Sequence, residues 1–211
     1  MRRIIPVLLL ALVVPVVAGA QDRMPPIPPQ KMTDAQRTAA QELQNARGYA
    51  LRGPWHPLLR SPDLMGRILE LSDYLRFNSA LPPRLSEFVI LMTAREWSQQ
   101  YEWQAHHPLA IKGGLKPEIA QAVADGRRPT GMADDETAVY DLIGELLHNK
   151  NVSDETYAKA LAKFGEQGVV DIISVNGYYT WFAMIMNSVR ATPYPPIAGM
   201  PTMATFPRKG S

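Results

Sequence analysis

The sequence predicts an all-α protein, a helical bundle of about seven helices between proline-rich N- and C-terminal arms. Two observations predict this. Apolar residues recur three and four positions apart through residues 33–191, and no segment alternates apolar with polar residues as a half-buried strand does. Helix caps and helix-breaking prolines punctuate the same stretch, and nothing repeats at a fixed period, so a single domain is expected there.

Gln21 to Met32 contains Pro25, Pro26, Pro28 and Pro29 and reads as an extended arm or linker. Thr33 is an expected N-cap with Gln36 as its capping-box partner, and the helix it opens runs to about Arg47, weakening at Gly48. Trp55-His56-Pro57 reads as an irregular crossing. Ser61-Pro62-Asp63 opens a second helix, with serine as cap and proline at the first helical position. Its apolar stripe is Leu64, Ile68, Leu71 and Leu75, and Leu81-Pro82-Pro83 ends it. A third helix starts near Arg84 or Leu85 and runs to Pro108, which lacks the N–H for a bond back to Gln104 and should kink or end it. Lys116-Pro117-Glu118 opens a short fourth helix, closed by Asp125-Gly126. Asp134 or Asp135 caps a fifth, with Val139, Leu142, Ile143, Leu146 and Leu147 as its stripe. Ser153 caps a sixth, which stops at Gly165. The last helix, from about Glu166 to Val189, is apolar on most sides and is expected to be buried. Gly168 and Gly177 within it mark either close packing or local looseness. From Thr192 onward, Pro193, Pro195, Pro196, Pro201 and Pro207 exclude helix, leaving a disordered tail or an arm laid over a neighbouring subunit.

Residues 1–20 read as a signal peptide: basic Arg2 and Arg3, an apolar run from Ile4 to Val17, and Ala18-Gly19-Ala20 before an expected cleavage. The run is shorter than the ~20 residues of a comfortable membrane span, and Pro6 and Pro15 interrupt it. The expectation is a periplasmic or secreted protein with no stable membrane association after cleavage; an uncleaved N-terminal anchor is the alternative. No cysteine follows the run to carry a lipid. Loss of Arg2 and Arg3 takes the formal charge from +2 to 0, because residues 1–20 contain no acid. A neutral mature chain offers no electrostatic footprint for nucleic acid. An exported chain without cysteine has no disulfides, so packing, including packing between subunits of an expected homo-oligomer, must supply its stability.

The segment Glu87-Phe-Val-Ile-Leu-Met-Thr-Ala-Arg-Glu-Trp-Ser-Gln-Gln-Tyr-Glu-Trp-Gln-Ala-His106-His107 holds the candidate chemistry. Carboxylates and an imidazole along one helix are the parts of a proton-transfer site. Glu102 and His106 share a face at i, i+4 spacing, so the carboxylate can orient the ring as a general acid; a surface ion pair is the alternative. His107 lies about 100° round the helix and reads as a helix-terminal residue. Glu87 begins an apolar stretch and is either a buried acid or a first-turn complement to the helix dipole.

The same segment resembles the central helix of the carboxymuconolactone decarboxylase family, which includes the AhpD-like alkylhydroperoxidases. The likeness extends from Leu81 to Asn187 through Leu85-Ser-Glu-Phe-Val-Ile-Leu, Tyr101-Glu-Trp-Gln-Ala-His, Gly114-Leu-Lys-Pro-Glu-Ile and Gly126-Arg-Arg-Pro. It continues in Glu136-Thr-Ala-Val-Tyr-Asp-Leu, Val152-Ser-Asp-Glu-Thr-Tyr, Gly168-Val-Val-Asp-Ile and Gly177-Tyr-Tyr. It implies an AhpD-like bundle, assembled into dimers or higher rings, with the active site near a subunit interface. In the thiol branch of the family, Glu, two Cys and His form a peroxide-reducing relay. Glu87 and His106 match its outer members, whereas Gln99 and Glu102 stand at the cysteine positions. The chain thus resembles a cysteine-less branch, in which no thiolate or disulfide can form.

The decarboxylase branch needs no thiol, and the resemblance implies a cofactor-free lyase acting on a small organic acid or lactone. His106 is then the expected proton donor or acceptor, Glu102 its orienting group and Glu87 the completing member of a relay. Trp103, Arg95 and Tyr178 are the candidate substrate-binding residues; core packing explains the aromatics equally well. The rival expectation is a non-catalytic small-molecule-binding protein on the same fold. No metal site is expected, since Glu102 and His106 are two ligands without a third, and no glycine-rich phosphate loop follows a strand.

Overall fold

The computed structural model describes residues 22–191 and Met203, and all regular structure among them is helical. The signal-peptide expectation for residues 1–20 lies outside the described residues, as does the tail apart from Met203, which packs against the core. The N-terminal arm is pinned to the body. Arg23 N–H donates to Val189 O at 2.8 Å, Arg23 Nη1 to Ser188 O at 2.9 Å and Arg60 Nη2 to Pro25 O at 2.7 Å, while Ile27 and Met32 pack on the core.

Eight α-helices follow among the described residues. Helix α1 (Asp34–Arg47) opens on the Thr33–Gln36 capping box and closes on Gly48, whose φ of 71° is the left-handed conformation that glycine adopts without cost. Trp55-His56-Pro57, expected as irregular, forms the short α2 (Trp55–Leu58). Helix α3 (Pro62–Asp73) has proline in its first turn as expected, but its buried face is Met65, Leu69 and Ser72. Leu64 and Leu71 are exposed instead, so the expected stripe is one position out of register. A π-helical stretch, Tyr74–Asn78, continues α3 and returns Leu75 to the core. The wider turn shifts the register of side chains, a device common at functional sites.

Helix α4 (Pro83–Glu96) is the axis of the molecule. Every residue from Leu85 to Arg95 is buried, because α5 (Gln100–Lys112), α6 (Pro117–Ala124), α7 (Asp134–Asn149) and α8 (Asp154–Val189) all pack against it. Helix α7 is capped at Ala133, one residue before the expected aspartates, which occupy its first turn. In α8 Gly165 breaks the helical geometry with φ 68° and ψ 178°, where the sequence places the stop. Beyond that kink, Gly168 permits close packing: a Cβ there would stand 2.6 Å from Phe164 Cβ. Gly177 faces open space and marks looseness.

The expected single helix from Arg84 to Pro108 is corrected by the structure. It is a hairpin of two helices, broken at Trp97–Gln99, where Ser98 takes φ 48°. Gln99 makes the break: its side-chain oxygen accepts from Tyr101 N–H at 3.0 Å as an N-cap, and its Nε2 donates to Asn187 Oδ1 on α8 at 2.8 Å. Pro108 does not end α5, which runs on to Lys112.

Candidate active site

On a continuous helix, Glu87 and His106 would stand about 28 Å apart at 1.5 Å per residue. The hairpin folds α5 back along α4 and brings His106 Nδ1 to 2.6 Å from Glu87 Oε2. On the other edge of the ring, His106 Nε2 stands 3.5 Å from Glu102 Oε2, one turn earlier on α5. All three side chains are buried, with relative exposures of 7 % for Glu87, 2 % for Glu102 and 6 % for His106. Tyr179 of α8 meets the imidazole edge-on at a centroid distance of 4.9 Å and fixes the ring plane. The π-helical stretch supplies a cation, with Arg76 Nη2 4.0 Å from Glu87 Oε1.

Burial raises the Glu102 carboxyl to about 7, opposed by the nearby His106 and Arg76 and assisted by the negative charge of Glu87. Among the described residues its Oε1 has no hydrogen-bond partner, consistent with a carboxyl poorly solvated as an anion. Burial likewise holds the Tyr179 phenol well above its ordinary range, so it stays protonated. His107, the neighbour on α5, is only half-buried; burial lowers its pKa, and its ring lies 5.7 Å from that of Trp103.

Glu102, His106, Arg76 and Tyr179 border a cavity of about 70 Å³. That is room for about five ordered waters at 10–15 Å³ each, or for a ligand of similar size. Tyr49 and the exposed Arg52, from the segment after α1, also line it, with the Arg52 guanidinium carbon 3.6 Å from the Tyr49 ring centroid. The loop packs tightly, since a Cβ on Gly53 would fall 2.2 Å from Tyr101 Cζ.

The structure thus brings together Glu87, Glu102 and His106 but not the three expected substrate contacts. Trp103 is fully buried in the core. Arg95 borders a separate cavity with Gly126 and Tyr140. Tyr178, also buried, does not border the Glu102–His106 cavity; its neighbour Tyr179 does. Asp171 and Asn176 serve the fold: Asp171 accepts from Ala80 N–H at 2.8 Å, and Asn176 Nδ2 donates to Thr93 Oγ1 at 2.8 Å. Sequence reasoning missed Arg76 and Arg52. Nothing in a Tyr-Leu-Arg-Phe-Asn run at a helix end distinguishes an inward arginine from a solvated one.

No protein-family model matches this sequence, and no curated protein matches it. Solved structures do match in shape. A peroxidase-related protein from Ralstonia eutropha JMP134, described as an alkylhydroperoxidase AhpD core, superposes with a TM-score of 0.66 at 16% identity over 83% of this chain and 94% of its own. A protein of unknown function from Agrobacterium tumefaciens, labelled AhpD, gives 0.59 at 15% identity over 66% of this chain and 96% of its own. The debrominase Bmp8, solved with 2,3,4-tribromopyrrole, gives 0.60 at 11% identity over 80% of this chain and 90% of its own. Together they show that this chain has the AhpD-like helical fold.

Proposed function

We propose that this chain is a cofactor-free, lyase-like enzyme that transfers a proton to or from carbon in a small organic acid or lactone. The observation that carries the reading is the buried Glu87–His106–Glu102 array on a cavity, with one member titrating near neutrality. A general acid–base group works best when its pKa lies close to the working pH. Glu87 accepts the Nδ1–H of His106, which leaves Nε2 to exchange its single proton in turn with Glu102 and with a substrate carbon. In a decarboxylation, the electron pair released as carbon dioxide departs forms an enolate. The His106 imidazolium protonates its carbon from Nε2–H, Glu102 returns a proton to Nε2, and water at the cavity recharges Glu102 with the proton that the reaction consumes.

Hydrogen exchange tests this whatever the natural substrate is. Small oxo acids and lactones, incubated with the protein in heavy water, are expected to exchange C–H for C–D or to release carbon dioxide, as followed by proton NMR. Ligands that raise the melting temperature but never exchange would instead identify a non-catalytic binding protein.

Thiol peroxidase chemistry is closed to this chain, which has no cysteine to form a sulfenic acid. Purified protein is expected not to sustain dithiol-dependent consumption of alkyl hydroperoxides; steady, metal-independent turnover in that assay would contradict the cysteine argument.

Self-association is the second part of the proposal. Val170, Ile173 and Met184 leave large apolar surfaces open along α8. Tyr74, also exposed, joins this side of the molecule through its hydroxyl on Asp171 at 3.1 Å. Residues 21–211 carry no net formal charge to repel a second copy. Light scattering is expected to report a homo-oligomer that Val170→Asp weakens; a monomeric parent at micromolar concentration would dismiss the idea.

A further inference from the structure

Arg76 has five N–H donors, and among the described residues it makes no hydrogen bond. Tyr179 and Glu87, the latter 4.0 Å away, favour its charge against burial, and the ring of Phe77 lies 5.1 Å from its guanidinium carbon. Four-fifths of the side chain is nevertheless removed from solvent, and its Nε is buried without a partner. Burying that N–H without a partner is unfavourable unless something else accepts from it. A second cation borders the same cavity. The exposed Arg52 makes no ion pair among the described residues and only stacks on Tyr49.

The charges around the cavity point the same way. Arg52 and Arg76 contribute two positive charges, and Glu87, beside His106, is the carboxylate set against them. Glu102 is about half neutral at pH 7. The cavity therefore keeps a net positive charge, which a bound anion would offset. A planar guanidinium fork is matched in geometry by a carboxylate, which accepts two parallel N–H bonds. The cavity volume of about 70 Å³ limits how large that carboxylate can be.

We propose that Arg76 and Arg52 are the substrate-binding residues of this site and select a small mono-carboxylate. Arg76 receives the carboxylate inside the cavity, and the exposed Arg52 closes over it. The proposal rests on the proton-transfer reading for identifying the cavity as an active site, but it concerns binding and is measured apart from turnover.

Calorimetric titration of the full chain with acetate, pyruvate and 2-oxobutyrate, and with the matching neutral amides, tests it. At least one acid is expected to bind about 10- to 100-fold more tightly than its amide, the range of a charge-assisted hydrogen bond. Arg52→Gln, at an exposed position, is expected to remove much of that preference by weakening acid binding more than amide binding. Arg76→Lys keeps the charge but loses the fork, and should also weaken acid binding specifically. Equal binding of acids and amides, no binding of any acid, or a preference undiminished in Arg52→Gln would each overturn the proposal. Acid selectivity without hydrogen exchange would defeat the proton-transfer reading and leave this one standing. Exchange without acid selectivity would do the reverse.

Discussion

Replacing His106 with glutamine is expected to lower turnover about 10²–10⁴-fold, the contribution typical of a positioned general acid–base group. The expectation follows from the two edges of the ring. Glutamine can still hydrogen-bond Glu87 in place of Nδ1, which stands 2.6 Å from that carboxylate, so the hairpin should hold. It cannot cycle a proton between Glu102 and a substrate carbon. Substrate affinity should change little, placing the loss in kcat rather than KM. Hydrogen exchange in heavy water gives the rate, and far-ultraviolet circular dichroism checks the helices. Parental exchange rates in a folded His106→Gln protein would remove His106 from the chemistry.

How legible was this site in the sequence? The helical class was, because capping boxes and proline at first helical positions act locally, and Thr33–Gln36 formed as read. The i, i+4 pair of Glu102 and His106 was legible for the same reason. The Glu87–His106 contact was different. It depends on Gln99 bonding to Asn187, 88 residues away, and a tertiary bond of that kind leaves no trace in local periodicity. A continuous apolar run therefore read as one helix, when a polar Ser98-Gln99 step inside it was the turn that builds the site. Arg76 escaped notice because its inward direction comes from the π-helical stretch, a register change set by packing rather than by propensity. Trp103 was misplaced for a simpler reason: an aromatic next to a catalytic candidate faces another side of the helix, here the core.

Glu102→Gln is expected to stabilise the protein, and to do so increasingly as the pH rises. Burial raises the Glu102 carboxyl to about 7 in the folded protein, against an ordinary value of 4.5. Below pH 4.5 the group is protonated in both folded and unfolded chains and costs nothing. As the pH climbs from 4.5 to 7, the unfolded chain releases this proton while the folded one retains it, so stability falls. Above 7 the full penalty applies, on the order of 3 kcal/mol from the gap between the two values. His56 and His107 act in the opposite sense. Burial lowers both, so their contribution is lost as the pH drops towards their folded values, but it is the same in parent and variant. The difference between the two proteins reports Glu102 together with His106, 3.5 Å from it. Urea unfolding at pH 4, 6 and 8 should show curves that nearly coincide at pH 4 and separate progressively to pH 8, with the variant more stable. A flat difference would mean that burial leaves Glu102 unshifted, and one of opposite sign that His106 and Arg76 hold it as a stabilised anion. The variant is also expected to lose exchange activity, because an amide cannot return a proton to His106. Greater stability with less activity is the signature of a group kept for chemistry at the expense of the fold. A purely structural carboxyl at this position would give the opposite pairing.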